Sequence, residues 1–284
     1  MRRTWTLWAV GALLALAKGA GAAEVEKRVE APGPASCSGV AGGALFDGPI
    51  SVGFFSADFG TARRACPRSE VGLGLLAGAA IDTPDFYGSL SGGALLYGSY
   101  ALSPALEVFG ALEAVKVQYV QNASLKGTSV ALGQATVGAT YVLLRQGGLL
   151  LAPSGRVMLP TDFSMPNVRT VGLELGGAVS YQLTGNLELH GYLGGDLSAG
   201  LSAAAALPRP GLLASAGAQY AFAPWIGVAL DLDAHAGESA YLAPALAVRV
   251  ALGKALGLEL GGKLPVWGTV RNEGALGLKV AYRL

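Results

Sequence analysis

The sequence predicts an all-β fold: a transmembrane, up-and-down antiparallel β-barrel of about twelve strands, following a cleaved export signal. Three observations carry this. The chain of 284 residues is 52% hydrophobic and 14% charged, whereas soluble domains carry about 25% charged residues. Beyond the N-terminal signal, no stretch reaches the roughly 18 uninterrupted apolar residues of a transmembrane helix. From about Glu70 onward, apolar residues recur at every second position, the period of a strand. A hydrophobic, exported chain without helical spans has one membrane solution, a closed barrel, because an open sheet leaves unpaired backbone groups in lipid. Glycine recurs inside the periodic segments, which argues against a helical bundle.

Arg2 and Arg3 precede an apolar run from Thr4 to Ala17, and Ala20-Gly21-Ala22 supplies small residues for cleavage. This is the order of a signal peptide, over residues 1–22, and the run is too short to span a bilayer. The competing reading is a buried N-terminal helix. Residues 23–68 lack the regular alternation of the rest of the chain. They open on Glu24, Glu26, Lys27, Arg28 and Glu30, continue through Pro32-Gly33-Pro34, and close on Arg63, Arg64 and Arg68. We expect a periplasmic N-terminal extension or plug. Its runs Val40 to Phe46 and Ile50 to Phe55 could form a further hairpin, giving fourteen strands. Export through an oxidising compartment makes a Cys37–Cys66 disulfide the default. It would close a loop of about 30 residues, worth about 3 kcal/mol on the chain-entropy model. A lipid-modified Cys37 is disfavoured by Pro34-Ala35-Ser36, which is not a lipobox, and a redox pair by the spacing.

Residues 69–284 are expected to form the barrel. The first strand turns Val71, Leu73, Leu75 and Ala77 outward, and Asp82 to Asp85 follow as a loop. The second carries Leu90, Ala94, Leu96, Tyr100 and Leu102, ending at Ser103-Pro104. The third begins with Leu106, Val108 and Leu112, then changes phase to Val115, Val117 and Tyr119, the mark of a β-bulge. The fourth ends on Val137, Ala139, Tyr141 and Leu143 before Gln146-Gly147-Gly148. The fifth shows Leu149, Leu151, Val157 and Leu159, and a longer loop runs from Pro160 to Asn167. The sixth carries Val171 to Leu183, the seventh Leu187 to Leu197, and Thr184-Gly185-Asn186 joins them. The eighth carries Leu212 to Phe222 and turns at Ala223-Pro224. The ninth shows Ile226, Val228, Leu230 and Leu232. The tenth shows Leu242, Leu246, Val248, Val250 and Leu252, and the eleventh Leu256, Leu258, Leu260 and Leu264.

The last strand is the clearest. Leu276, Leu278, Val280, Tyr282 and Leu284 alternate with Gly277, Lys279, Ala281 and Arg283. This resembles the C-terminal signal of bacterial outer-membrane β-barrel proteins, with Gly277, Val280, Tyr282 and Leu284 at the matching positions. That family usually ends in Phe or Trp, where this chain has Leu284. The resemblance implies a bacterial outer-membrane location, a surround of outer-membrane lipid, and biogenesis through the barrel-insertion machinery. Connections after even-numbered strands are short and those after odd-numbered ones mostly longer, the asymmetry of such barrels. Tyr100, Tyr141, Tyr181, Tyr220, Trp225 and Tyr282 fall beside the short turns and predict a periplasmic aromatic girdle. Tyr87, Tyr119, Tyr241 and Trp267 predict an outer one. The competing reading is the core tyrosines of a soluble β-sandwich.

Alternation turns Arg156, Glu174, Glu188, His190, Tyr192, Asp196, Asp231, Asp233, His235, Arg249, Glu259, Lys263, Lys279 and Arg283 inward, among small and polar residues. Opposite charges on neighbouring strands suggest Arg156 with Glu174, Asp231 or Asp233 with Arg249, and Glu259 with Lys279. One reading is a charge-balanced filler; the other is a polar path for small solutes. Near-zero net charge and the lack of a basic run give no reason to propose nucleic acid. His190 and His235 are the only histidines, and Asp231 or Asp233 could orient His235. No Ser lies in a Gly-x-Ser-x-Gly context, so a lipid-modifying enzyme is a minor alternative. Asp231, Asp233 and His235 spread along one strand and make a weak metal site, and no cofactor is expected. Leu159-Pro160-Thr161 is similar to a segment of outer-membrane transporters of hydrophobic and aromatic compounds, which implies small-solute passage. The expected function is a porin-like channel; a structural or adhesion barrel with a plugged lumen is the alternative.

Overall fold

The computed structural model describes residues 67, 69–82, 87–121, 126–159, 161, 170–201, 208–223, 225–237, 240–252, 255–268 and 273–284. The expected signal peptide, Cys37 and Cys66 lie outside these residues, as does the expected extension apart from Pro67. The described residues form strands and short connections only. The strands are β1 (Glu70–Asp82), β2 (Tyr87–Ser103), β3 (Leu106–Gln121), β4 (Lys126–Ala131), β5 (Ala135–Tyr141), β6 (Leu144–Gln146), β7 (Leu149–Leu159) and β8 (Thr170–Gln182). They continue with β9 (Leu187–Gly200), β10 (Arg209–Ala223), β11 (Ile226–Ala236), β12 (Tyr241–Leu252), β13 (Leu256–Lys263), β14 (Trp267–Gly268) and β15 (Glu273–Arg283).

These segments make one closed ring of twelve antiparallel staves. β4, β5 and β6 are pieces of one stave, since β4 and β5 both pair with β3 while β5 and β6 both pair with β7. β13 and β14 are likewise one stave against β12. Closure is made by β1 on β15, in register from Glu70 opposite Arg283 to Ala80 opposite Glu273. Leu284 N–H adds a bond to the Ser69 carbonyl at 3.0 Å. A closed ring satisfies every ladder internally, as a hydrocarbon surround demands. It also leaves no open edge among the described strands; the runs Val40 to Phe46 and Ile50 to Phe55 lie outside the described residues.

The phase change in the third strand is a bulge at Ala114: Leu95 faces Glu113 while its neighbour Ala94 faces Val115. Beyond it, the stave opposite is broken between β4 and β5. Glu113 seals the break, its backbone bonding Gln134 and Gly133 in both directions at 3.1 and 2.9 Å. Thr161 Oγ1 adds a clamp, accepting from Ala135 N–H at 2.7 Å and donating to the Gly133 carbonyl at 2.9 Å.

The two faces separate as period two requires. Outward lie Val71, Leu73, Leu75, Leu175, Leu193, Leu230 and Leu260, all exposed, an apolar surface that water would not tolerate at this extent. Tyr100, Tyr141, Tyr181, Tyr220, Trp225 and Tyr282 are exposed at the short-turn end, and Trp267 at the long-loop end. Tyr241 differs from expectation. It is 2% exposed and points inward, its ring 5.7 Å from that of His235. The alternation that turns Leu242 and Leu246 out forces Tyr241 in, and this outweighs its place beside a loop.

Gly268 holds β14 against Tyr241 with a φ of 113°. A Cβ there would also run into the Ala240 carbonyl and the Tyr241 backbone. Gly268→Ala is therefore expected to detach β14 and destabilise the barrel by about 1–3 kcal/mol, read from urea unfolding in detergent. A change below about 0.5 kcal/mol would contradict the tight seat.

Candidate functional site

The barrel interior gathers most ionisable side chains of the described strands, because every second residue of each stave must point there. Arg156 on β7 stands directly opposite Glu174 on β8. Arg156 Nε donates to Glu174 Oε2 at 2.8 Å, and Tyr192 Oη on β9 donates to Oε1 at 2.7 Å, so both carboxylate oxygens are held. Lys263 pairs with Asp233, and Lys279 with Glu70 at 3.5 Å. The Lys279 ammonium also sits 4.5 Å above the Tyr97 ring. Arg249 Nε donates to Glu259 at 2.9 Å and its other arm reaches Gln219. Glu188 is buried, in ladder register with Gln182 and Gln219. Arg283 is half-buried opposite Glu70.

Two His–Asp pairs span β10 in opposite senses. His190 on β9 contacts Asp231 on β11 at 2.5 Å, and Asp196 on β9 contacts His235 on β11 at 3.2 Å. The first bridge passes over Gly217 and the second over Gly211; a Cβ at either position would overlap both partners. Glycine thus lets side chains meet across an intervening strand. Gly72 plays the same part beneath Tyr97, and Gly138 beneath Phe109.

Of the expected pairings, Arg156 with Glu174 forms. Arg249 stands opposite Gly227, away from Asp231 and Asp233, whose partners are His190 and Lys263. Glu259 is in register with Lys279. Their ion pairs nevertheless run the other way around the ring, Glu259 to Arg249 and Lys279 to Glu70. Asp231, Asp233 and His235 are drawn to separate partners, and no cluster fit to hold a metal occurs among the described residues. Sequence reasoning missed Glu70, Tyr97, Glu113 and Gln219. Glu70 and Tyr97 do carry a signal: Tyr97 alternates with the outward Leu96 and Tyr100, and Glu70 alternates with Val71 and Leu73.

The final strand turns Leu276, Tyr282 and Leu284 outward, while Gly277, Lys279 and Ala281 are buried inside and Val280 is half-buried. A small apolar cluster, Leu76 with Leu95 against Tyr97 and Ala111, lies on the inner side of β1 to β3.

No protein-family model and no curated protein matches the sequence. Solved structures do match. An outer membrane channel from Pseudomonas putida F1 is 15% identical, with a TM-score of 0.62 over 81% of this chain and all of its own. The NanC porin is 8% identical, with a TM-score of 0.52 over 75% of this chain and all of its own. The translocator domain of the autotransporter NalP from Neisseria meningitidis is 12% identical, with a TM-score of 0.52 over 79% of this chain and 89% of its own. The chain has the closed-barrel fold of these outer-membrane proteins. Channel and translocator share that fold, so function must be argued from the interior.

Proposed function

We propose that this protein is a bacterial outer-membrane channel for small solutes, and not an enzyme. The carrying observation is a closed ring whose outside is apolar while its inside is lined by paired charges and small residues. The likeness in fold to an outer-membrane channel and a porin supports this reading. A twelve-stave barrel is wide enough to leave room at its middle for small solutes, unlike an eight-stave barrel, which its own side chains fill. The histidines point inward, away from the lipid on which a lipid hydrolase would act. Proteoliposomes carrying the folded protein are expected to swell in small sugars and amino acids faster than empty ones. Equal rates would oppose the channel.

One observation favours a second reading, a barrel closed at rest. Inward Ala178 is fully buried where it packs with Tyr192 and Leu213, so large side chains reach from the wall into the lumen. On this reading a plug formed by residues 24–68 would complete the closure. Deleting those residues would then raise the swelling rate, whereas an unchanged rate would leave them no such role.

A further inference from the structure

We infer that the channel proposed above selects cations over anions, through an unbalanced carboxylate wall on β9 to β11. The inference rests on the channel reading and adds the charge of its solute. Most inward carboxylates face a fixed cation. Glu174 has Arg156, Asp233 has Lys263, and Glu259 has Arg249. Glu70, Glu107, Glu113 and Glu188 are matched in number by Lys116, Arg145, Lys279 and Arg283. Two further carboxylates, Asp196 and Asp231, exceed this count of fixed cations. Both are held by an imidazole in place of a Lys or Arg. Among the described residues, the inward faces of β8 to β11 hold no Lys or Arg except Arg209, exposed at the loop-end rim. Residues 24–68 do not redress the balance, since they carry as many Lys and Arg as Asp and Glu.

A second observation lies beside the carboxylates. Ser180 on β8 is 4% exposed and opposite His190 in the ladder. Its Oγ has no hydrogen-bond partner among the described residues, and neither does His190 Nδ1. Buried polar atoms without protein partners beside a carboxylate are places where water, or a cation that has shed part of its hydration, can bind. Low-dielectric walls focus the field of one sign of charge, enriching counter-ions and repelling co-ions.

The test is the reversal potential of the full-length protein in a planar bilayer under a tenfold KCl gradient. A potassium-to-chloride permeability ratio of about five is expected, the scale of a wall potential of one to two kT. The ratio should fall between 0.1 and 1 M salt as the Debye length shortens, a check that needs no variant. Asp196→Asn with Asp231→Asn removes two charges and still lets each amide accept from its imidazole. The ratio should drop at least about twofold in this variant, once heat-modifiable migration shows it folded. A wild-type ratio at or below one, or one that ignores both salt and the double substitution, overturns the inference and leaves the channel standing. Silence from folded protein under all conditions overturns the channel reading and the inference with it.

Discussion

Arg156→Ala is expected to destabilise the folded barrel by about 3–5 kcal/mol, the cost of stranding a buried charge. Arg156 and Glu174 are 3% and 2% exposed, on neighbouring staves at the same height. Removing the guanidinium takes from the Glu174 carboxylate the cation opposite it, deep in the barrel wall, while Tyr192 Oη still donates to it. Tyr192→Phe, which removes one hydrogen bond to the same carboxylate, should cost less, about 1.5–3 kcal/mol. The double change Arg156→Met with Glu174→Gln should recover much of the loss, because paired removal leaves no orphaned charge. Equilibrium urea unfolding in detergent micelles reads all three. A loss below about 1 kcal/mol for Arg156→Ala would mean that water reaches the pair freely.

Leu193→Arg is expected to cost about 2–4 kcal/mol in a bilayer, and Phe222→Arg about 0–1 kcal/mol. Leu193 lies at the middle of β9 and is 68% exposed; Phe222 lies near the short-turn end of β10 and is 65% exposed. Their exposures are nearly the same, so a protein in water would treat the two alike, within about 0.5 kcal/mol. Only hydrocarbon distinguishes them, since an arginine near the rim can reach the interface and one at the midplane cannot. Folding into lipid vesicles at graded urea measures the difference. Equal costs would place the apolar face somewhere other than in a membrane.

The strands are legible in the sequence because one side of each stave is apolar and the chain repeats that pattern with short turns. The bulge is legible for the same reason: Leu112 and Val115 cannot both point outward on a regular strand. The pairing of Arg156 with Glu174 can be read because the two are close in sequence, joined through a single loop. The partners of Asp231, Asp233 and Arg249 are not legible, for two physical reasons. Stagger around a closed ring sets which rows face each other, and no local pattern reports it. Glycines at 211 and 217 then let side chains skip a strand, which a rule of adjacent pairing excludes. Tyr241 shows two sequence cues in conflict, a loop-adjacent aromatic and an inward parity, and parity prevails.

That the interior is a solute path is tested most directly by single-channel recording. The purified protein, shown to be folded by heat-modifiable migration, is added to a planar bilayer and recorded across a range of voltages. Deletion of residues 24–68 provides the comparison. The expected result is discrete conductance steps from the full-length chain, or steps that emerge on deletion if those residues close the barrel. Silence from both folded proteins at every voltage would contradict the channel.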